Sequence, residues 1–487
     1  MSPFDKARYE RLLEGLEATE VLLSEVAHDN EVLRCDAEYF GKQVLQVMHR
    51  LESIKAAPLE QTAVITDGIH TSLPFVDDGE VKVLSAKHPK DNYIAAGPFE
   101  KISAGFHDKN PRTALRANDV LISTVGTIGN AAVVTPDILP ANSDRHIGIV
   151  RAGRDGPPPF FLSTFLVCRY GRIQSIRETT GNVQPNLFIS KIGRLLIPRF
   201  DPAFERAIAE RVESAYRLRK QAADILGKAE HTLLHALGLD IWTPPEALSY
   251  VRSCREAFAA GRFDAEYFHP AKAQALVDLR ALSDVCVGDL FESIRDLWQP
   301  TEAAGLPVRN YDLTDALDPF LDPSKTTTSP EEIASTKKQI AAGDLVVSRL
   351  RSYLREIAVV LPSDDGITAV ASTEFIVLRP KKGATLTAEA LLIFLRSRLP
   401  QIVFKWSQDG SNHPRFDERE LLNLPVPRAL ITDQVTYETA VRHMVTHRQR
   451  ATRLLDAAKR AVEIAIEDSE AAALAYLAAA NPPEAAA

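Results

Sequence analysis

Residues 34–40 read RCDAEYF and residues 262–268 read RFDAEYF, so six of seven positions repeat at a spacing of 228 residues. A polar and aromatic heptapeptide can recur by coincidence. If the chain instead contains a duplicated unit, the segments after each copy must also match at nearly the same spacing.

The segments that follow each heptapeptide match in this way. NDVLISTVGTIGNAAVV at 118–134 lies over GDLVVSRLRSYLREIAVV at 343–360. Each has a β-branched run, a polar turn and a second apolar run, which predicts a β-hairpin. HIGIVRA at 146–152 lies over EFIVLRP at 374–380 and predicts a further short strand in both copies.

A loop with one glycine and one proline closes each copy. TGNVQPNLFISKIGRLLIP at 180–198 lies over DGSNHPRFDERELLNLPVP at 409–427, which pairs Gly181 with Gly410 and Pro185 with Pro414 at an offset of 229. Glycine and proline at this spacing define a tight loop of fixed shape. One nearly constant offset across separate segments indicates that the chain is a duplication.

A long helix is predicted after each copy, and the two helices match as well. Apolar residues recur at spacings of three and four, the pattern of a coiled-coil seam. They are Ile208, Val212, Ala215, Ala222, Leu226, Ala229, Leu233 and Ala236 in the first helix, and Tyr437, Val441, Met444, Ala451, Leu455, Ala458, Val462 and Ala465 in the second. Arginine interrupts both seams at the same point, Arg219 and Arg448. The alternative is a surface helix packed on its own domain, but a helix of roughly 50 Å is too long for one domain to cover.

The predicted fold is therefore α/β (α+β): two similar globular domains separated by a pair of long antiparallel coiled-coil helices, related by a pseudo-twofold duplication. We predict an N-terminal helical segment at 1–33, with its helix at about 4–27, and globular domains at 34–200 and 262–429. Long spacer helices are predicted at 201–240 and 430–479, a connector at 241–261 and a disordered tail at 480–487.

Composition narrows the class of protein. With 45% apolar and 25% charged residues the chain has ordinary globular values. No apolar run is long enough for a membrane span, and the charged N-terminus is unlike a signal peptide. The net charge of −8 argues against a generic polyanion binder. Four distant cysteines without a CxxC pair are typical of reduced, buried thiols in a cytoplasmic protein.

The two copies keep their apolar framework and differ in their turns, as two readers of different DNA bases would. Asparagine and glutamine suit adenine, and arginine suits guanine or phosphate. The alternative is that these polar residues cap turns or are merely solvated. The candidate contacts are Thr124, Thr127, Arg145, Asn182, Gln184 and Asn186 in the first copy, and Arg349, Arg351, Tyr353, Arg355, Asn412, His413 and Arg415 in the second.

This combination of motifs resembles the specificity (S) subunit of type I restriction–modification systems, across essentially the whole chain. The resemblance implies two target-recognition domains that each read half of a bipartite double-stranded DNA site. It also implies a helical spacer that sets the gap between the half-sites and docks two modification (adenine-N6 methyltransferase) subunits, together with restriction subunits in a full complex. Copy two departs from copy one by lacking the TxGxxG turn and by reading HPRF where copy one reads QPNL.

The sequence offers no catalytic, cofactor or metal site. A GxxxxGK[ST] phosphate loop is missing, and NPPE at 481–484 lacks the aromatic residue of an amine-methyltransferase loop. The pairs His231/His235 and His443/His447 lack the glutamate of HExxH. Two other classes stay open at this point: a stand-alone DNA-modifying enzyme, and a helical scaffold whose globular domains bind protein.

Overall fold

The computed structural model of the chain describes residues 5–16, 19–27, 34–95, 99–181, 185–303 and 305–480. These residues form two compact units. Unit 1 holds the chain up to Arg219 and again from Gln449 onward, and unit 2 holds Lys220–Arg448. Each unit is a mixture of helices and small sheets.

Unit 1 contains most of the first copy. Its helices are α1 (Lys6–Leu13), α2 (Leu23–Ala27), α3 (Ala37–Phe40), α4 (Lys42–Ser53), α5 (Ala104–Asp108), α6 (Pro159–Val167), α7 (Arg169–Arg177), α8 (Ile189–Gly193) and the first part of α9 (Pro202–Ala236). Its strands are β1 (Ala57–Pro58), β2 (Ala63–Asp67), β3 (Val81–Leu84), β4 (Glu100–Ile102), β5 (Val120–Ser123), β6 (Ala131–Val133), β7 (Ala141–Ser143), β8 (Ile147–Ala152) and β9 (Leu196–Ile197).

Unit 2 contains the second copy. Its helices are the rest of α9, α10 (Cys254–Ala260), α11 (Pro270–Leu282), α12 (Val287–Leu290), α13 (Ala388–Arg396), α14 (Arg398–Ser407), α15 (Glu418–Leu422), α16 (Arg428–Thr432) and the first part of α17 (Gln434–Glu467); the rest of α17 and α18 (Glu470–Ala479) belong to unit 1. Its strands are β10 (Phe291–Ile294), β11 (Leu297–Trp298), β12 (Arg309–Tyr311), β13 (Phe320–Leu321), β14 (Lys337–Gln339), β15 (Leu345–Ser348), β16 (Ile357–Val360), β17 (Ala369–Ala371) and β18 (Phe375–Pro380).

The central sheets of the two units have the same strand order. In unit 1 it is β2-β8-β5-β6, and in unit 2 it is β10-β18-β15-β16 with β13 added at the edge. The shared neighbours are all antiparallel. Their registers correspond too, since Leu121 faces Ile149 where Val346 faces Val377. The structure thus confirms the duplication and both predicted hairpins.

A smaller sheet recurs in the same way. In unit 1, β3 pairs in parallel with β7, and in unit 2, β12 pairs in parallel with β17. The inner hairpin strands are buried along their whole length in both units, which explains why they read as continuous apolar runs and not as alternating ones.

The two long helices pack against each other within each unit. In unit 1, Ile208 and Val212 of α9 share a core with Leu455 and Val462 of α17. In unit 2 the later part of α9 shares a core with the earlier part of α17. Because the first part of α9 shares a core with the last part of α17, and the last part of α9 with the first part of α17, the helices run antiparallel, as predicted. The division between the units falls directly after Arg219 and Arg448, the two arginines that interrupt the seams.

Two helix predictions differ from the structure. The helix expected at about 4–27 is wrong as a single element: α1 ends at Leu13, and Gly15 has a φ of 78°, which a continuing helix cannot adopt. The second spacer helix is not continuous to 479, because Ser469 leaves helical geometry and caps the N-terminus of α18 with its side chain. Residues 481–487 of the predicted tail at 480–487 lie outside the described residues.

The four cysteines were expected to be buried, and this is wrong for three of them. Cys168 is buried, and burial raises the pKa of its thiol to about 12. Cys35 and Cys254 are exposed, and Cys286 is half-buried. Among the described helices, none combines the length and the apolar character that crossing a membrane requires.

Candidate nucleic-acid interface

The repeated heptapeptide forms a clamp in unit 1. Asp36 caps α3 by accepting from the Tyr39 amide and forms a two-bond ion pair with the Arg34 guanidinium. Arg34 also donates to the carbonyl oxygens of Arg177 and Thr179, at 3.0 and 2.7 Å. The first copy of the peptide therefore ties the chain to the start of the Gly–Pro loop.

The second copy forms the same clamp in unit 2. Arg262 pairs with both carboxylate oxygens of Asp264 and donates to the carbonyl oxygen of Gln408, at 3.1 Å, directly before the second Gly–Pro loop. Tyr267 donates its hydroxyl to Glu420. Burial, followed by this carboxylate, raises the pKa of Tyr267 to about 12. The peptide recurs because both loops need the same anchor.

In unit 1 the hairpin turn and the Gly–Pro loop meet. Thr180 and Asn186 exchange two main-chain hydrogen bonds, which close the loop. A further bridge joins Val125 to Asn186, and the Leu187 amide donates to the Thr124 carbonyl oxygen. We call the turn at 124–130 and the loop at 180–186 the loop pair of unit 1.

Unit 2 repeats this arrangement bond for bond. Asp409 and Arg415 exchange two main-chain hydrogen bonds, Leu350 bridges Arg415, and the Phe416 amide donates to the Arg349 carbonyl oxygen. We call the turn at 349–356 and the loop at 409–415 the loop pair of unit 2. Gly181 and Gly410 hold equivalent places with φ of 104° and 92°, a conformation that glycine adopts without strain.

The described residues of the loop pair of unit 1 are all uncharged. Thr124 is buried, Thr127 is exposed at the tip of the turn, and Asn186 is half-buried. Arg145 is exposed and lies against His146, beside a groove of about 280 Å³ that residues 69–73 and 144–146 line. The predicted residues Asn182 and Gln184 lie outside the described residues.

The loop pair of unit 2 is strongly charged. Arg349 Nε lies 3.0 Å from Glu374 Oε2, and Arg415 contacts the same carboxylate through Nε and Nη2, with a shortest distance of 2.7 Å. The Arg415 guanidinium, with that of Arg349, holds the pKa of Glu374 at about 2, so this carboxylate is ionised at neutral pH. Both arginine side chains keep more than two fifths of their surface exposed.

The other predicted residues of unit 2 divide into two groups. Arg351 approaches His413 at 3.5 Å, and Tyr353 is 59% exposed, so both belong to the surface of the loop pair together with exposed Asn412. Arg355 lies away from them, 3.9 Å from Glu230 of α9. The structure therefore brings six of the seven predicted residues of this unit into or beside one surface.

Sequence reasoning missed Glu374 and His146. They occupy equivalent places, because the Thr124 amide donates to the His146 carbonyl oxygen and the Arg349 amide donates to that of Glu374. The alignment of HIGIVRA with EFIVLRP could have identified them, because it places His146 and Glu374 at equivalent positions. A single sequence does not show that Glu374 pairs with Arg349, 25 residues away, and with Arg415, 41 residues away.

The described residues contain no cluster of three or more histidine, cysteine, aspartate or glutamate side chains able to hold a metal ion. His231 and His235 lie on the surface of α9 with ring centroids 6.4 Å apart. Within the described residues, the two loop pairs offer hydrogen-bond donors and acceptors on similar main-chain frames.

Comparison with known proteins gives structural matches only. No protein-family model and no curated protein matches the chain. Among solved structures, the type I restriction-modification system S subunit from M. genitalium matches over 88% of this chain and 96% of its own, with 14% identity and a TM-score of 0.34. The HsdS subunit from Thermoanaerobacter tengcongensis matches over 88% and 96%, with 17% identity and a TM-score of 0.27.

A third match, to a chain from work on complex assembly and conformational transition of the type I R-M system, covers 88% of this chain and 98% of that one, with 17% identity and a TM-score of 0.24. Two of these three structures are specificity subunits, and the third belongs to the same type of system. At TM-scores below 0.5 they carry no conclusion about the function of this chain.

Proposed function

We propose that this chain is the non-catalytic specificity subunit of a type I restriction–modification complex, which reads a bipartite sequence in double-stranded DNA. One observation carries the proposal: two loop pairs share the same main-chain hydrogen bonds and differ in the side chains that they expose. An enzyme built by duplication would repeat its reactive groups, whereas a reader of an asymmetric site must change them.

The proposal assigns one half-site to each copy. Residues 34–200 and 262–429 would be the target-recognition domains, and the remaining helical segments would serve as spacer, connector and tail. In the first domain, exposed Thr127 and half-buried Asn186 are available for base edges, and in the second, arginine, histidine and tyrosine side chains. These groups match the donors and acceptors that the major groove presents.

The proposed partners follow from the absence of a catalytic site in the sequence. A methyl group would be transferred by two modification subunits docked on the helices, and DNA cleavage would need separate restriction subunits. No cofactor is assigned to this chain. We place it in the cytoplasm, where DNA and these partners occur.

The first experiment tests the function as a whole. Methylation would be mapped across the genome in cells that express the modification subunits with and without this chain. We expect N6-methyladenine within one two-part sequence only when the chain is present. Methylation that is unchanged by the chain, or spread without a sequence pattern, contradicts the proposal.

A second experiment separates the rival classes. The complex of full chain and modification subunits would be titrated with the mapped duplex and with a random duplex at several salt concentrations, because phosphate contacts weaken steeply with salt while base contacts preserve the preference. Arg351→Ala should weaken one half-site and leave subunit assembly intact. Lys382→Ala is the matched control, because Lys382 is exposed and lies beyond the end of β18 that is farther from Glu374. A chain that modifies DNA alone would instead be an enzyme, and one that never shifts DNA would be a protein scaffold.

A further inference from the structure

Glu374 joins the two elements of the loop pair in unit 2. Arg349 comes from the hairpin turn and Arg415 from the Gly–Pro loop, and both donate to this one carboxylate. The Glu374 side chain is 23% exposed, against 44% for Arg349 and 41% for Arg415. The carboxylate therefore lies beneath two guanidinium groups that face outward.

These contacts fix the orientation of Arg415. A guanidinium has five N–H donors. The Nε group and one Nη2 hydrogen are directed to Glu374, and one Nη1 hydrogen is directed to the His413 carbonyl oxygen, 3.0 Å away. One hydrogen on Nη1 and one on Nη2 are left as donors for a pair of acceptors.

The carboxylate also selects what these donors can bind. A phosphate group placed against Arg415 would also lie close to the charge of Glu374, whose repulsion weakens the attraction of the phosphate to the two guanidinium groups. The N7 and O6 atoms of guanine are neutral acceptors and do not meet this repulsion to the same degree. In the major groove, guanine is the base that offers two acceptors side by side to one arginine. The cluster therefore favours a base edge over the DNA backbone.

Unit 1 does not have this cluster. Thr124, His146 and Asn186 occupy the places that Arg349, Glu374 and Arg415 occupy in unit 2, as the equivalent main-chain bonds establish. Since the frame is the same and the charged groups belong to one copy, the cluster is not needed to hold the frame together.

We infer that Arg415, supported by Arg349 and held by Glu374, reads a guanine in the half-site of unit 2, and that Glu374 is the positioning residue that sets this preference. This inference rests on the proposed function and names the base that one part of the site contacts.

The test uses the full complex and the sequence mapped for the wild type. Binding would be measured for duplexes in which each base pair of both half-sites is replaced in turn. The wild type should lose roughly 10- to 100-fold in affinity when one guanine is replaced, the range for a bidentate base contact. Glu374→Gln should reduce that loss to about threefold or less and should strengthen binding to random duplex, because one negative charge is removed.

Two further variants keep the result interpretable. Arg415→Lys retains the charge and loses the paired donors, so it should lose the guanine preference without gaining affinity for random duplex. Glu418→Gln removes a carboxylate of similar exposure that pairs with Arg295, at 3.0 Å, outside the loop pair and the long helices, and should behave as the wild type. Thermal unfolding of each complex checks that the variants fold.

Three outcomes would overturn the inference. If Glu374→Gln and Arg415→Lys both keep the wild-type preference at every position, these residues do not read a base. If both weaken all duplexes equally, the arginines bind phosphate. If the wild-type complex itself has no sequence preference, the proposed function fails as well, and the wild-type measurement alone separates that case from the first two.

Discussion

The two copies of the heptapeptide clamp should contribute unequally to the stability of the loops that they hold. Arg34 donates to two main-chain carbonyl oxygens, whereas Arg262 donates to one. A hydrogen bond from a charged donor contributes about 1.5 kcal/mol or more. We therefore expect Arg34→Ala to lower the free energy of opening its loop by about 3 kcal/mol, and Arg262→Ala by about half as much.

The ion pairs of the clamps do not alter this comparison. Asp36 and Asp264 are partly exposed, at 43% and 35%, so each pair adds at most about 1 kcal/mol, and the two contributions nearly cancel. The additional carbonyl bond of Arg34 is therefore the main difference expected between the two variants.

Native-state hydrogen exchange measures both loops in one sample, because the amides that close each loop are main-chain donors. Exchange at Thr180 and Asn186 should accelerate on the order of 100-fold in Arg34→Ala, and exchange at Asp409 and Arg415 on the order of tenfold in Arg262→Ala. Arg34→Lys should fall between the wild type and Arg34→Ala. Equal acceleration in the two loops, or acceleration that also reaches the buried strands of the central sheet, would refute the reasoning.

Three further changes test other parts of the two units. His88 is buried, and desolvation lowers its pKa from 6.5 to about 4. Because the unfolded chain therefore binds a proton at a higher pH than the folded chain, unit 1 should lose up to about 3 kcal/mol of stability as the pH falls from 6.5 to 4. His88→Phe should flatten this pH dependence in chemical unfolding. Leu233→Ala removes a fully buried seam residue and should cost unit 2 about 2–5 kcal/mol in the same assay. Arg448→Ala removes a mostly buried guanidinium that pairs with a carboxylate at 2.6 Å and should cost about 2 kcal/mol.

Each of these changes has a matched control. His413→Gln replaces an exposed histidine and should leave the pH dependence as it is. Leu23→Ala, at a side chain 82% exposed, should stay within about 0.5 kcal/mol of the wild type. Arg442→Ala removes an exposed pair within one helix and should do the same. Controls that cost as much as the test variants would mean that burial does not determine these effects.

Repetition made most of the fold predictable from one sequence. The hairpins and the long helices could be aligned because their apolar residues fill the same buried places in both copies. The break at Ser469 was not predictable from the seam, since alanine-rich sequence continues on both sides of it and a single side-chain cap decides where α18 begins. The N-terminal helix was overextended for a similar reason, because Gly15 stands alone in an otherwise helical composition.

The site was predictable in location and less so in chemistry. The changed turns identified Arg349 and Arg415 as candidates, but not the carboxylate that joins them, because Glu374 is distant in sequence from both. Arg355 belongs to the same turn as Arg349 and yet lies beside Glu230 of α9. Sequence proximity indicates which loop a side chain belongs to and does not determine the surface that it joins.

The bonds that hold each loop pair explain how the same main-chain arrangement can present different side chains in the two units. The contacts between turn and loop that the two units share are made by main-chain atoms, and the clamps that anchor the loops bind main-chain carbonyl oxygens. Replacing threonine by arginine at the start of the turn, or asparagine by arginine at the end of the loop, therefore removes none of the bonds that determine the fold. Side chains at these positions can change to suit a new base while the frame keeps its stability, which is the property that a protein needs if its two copies are to read different sequences.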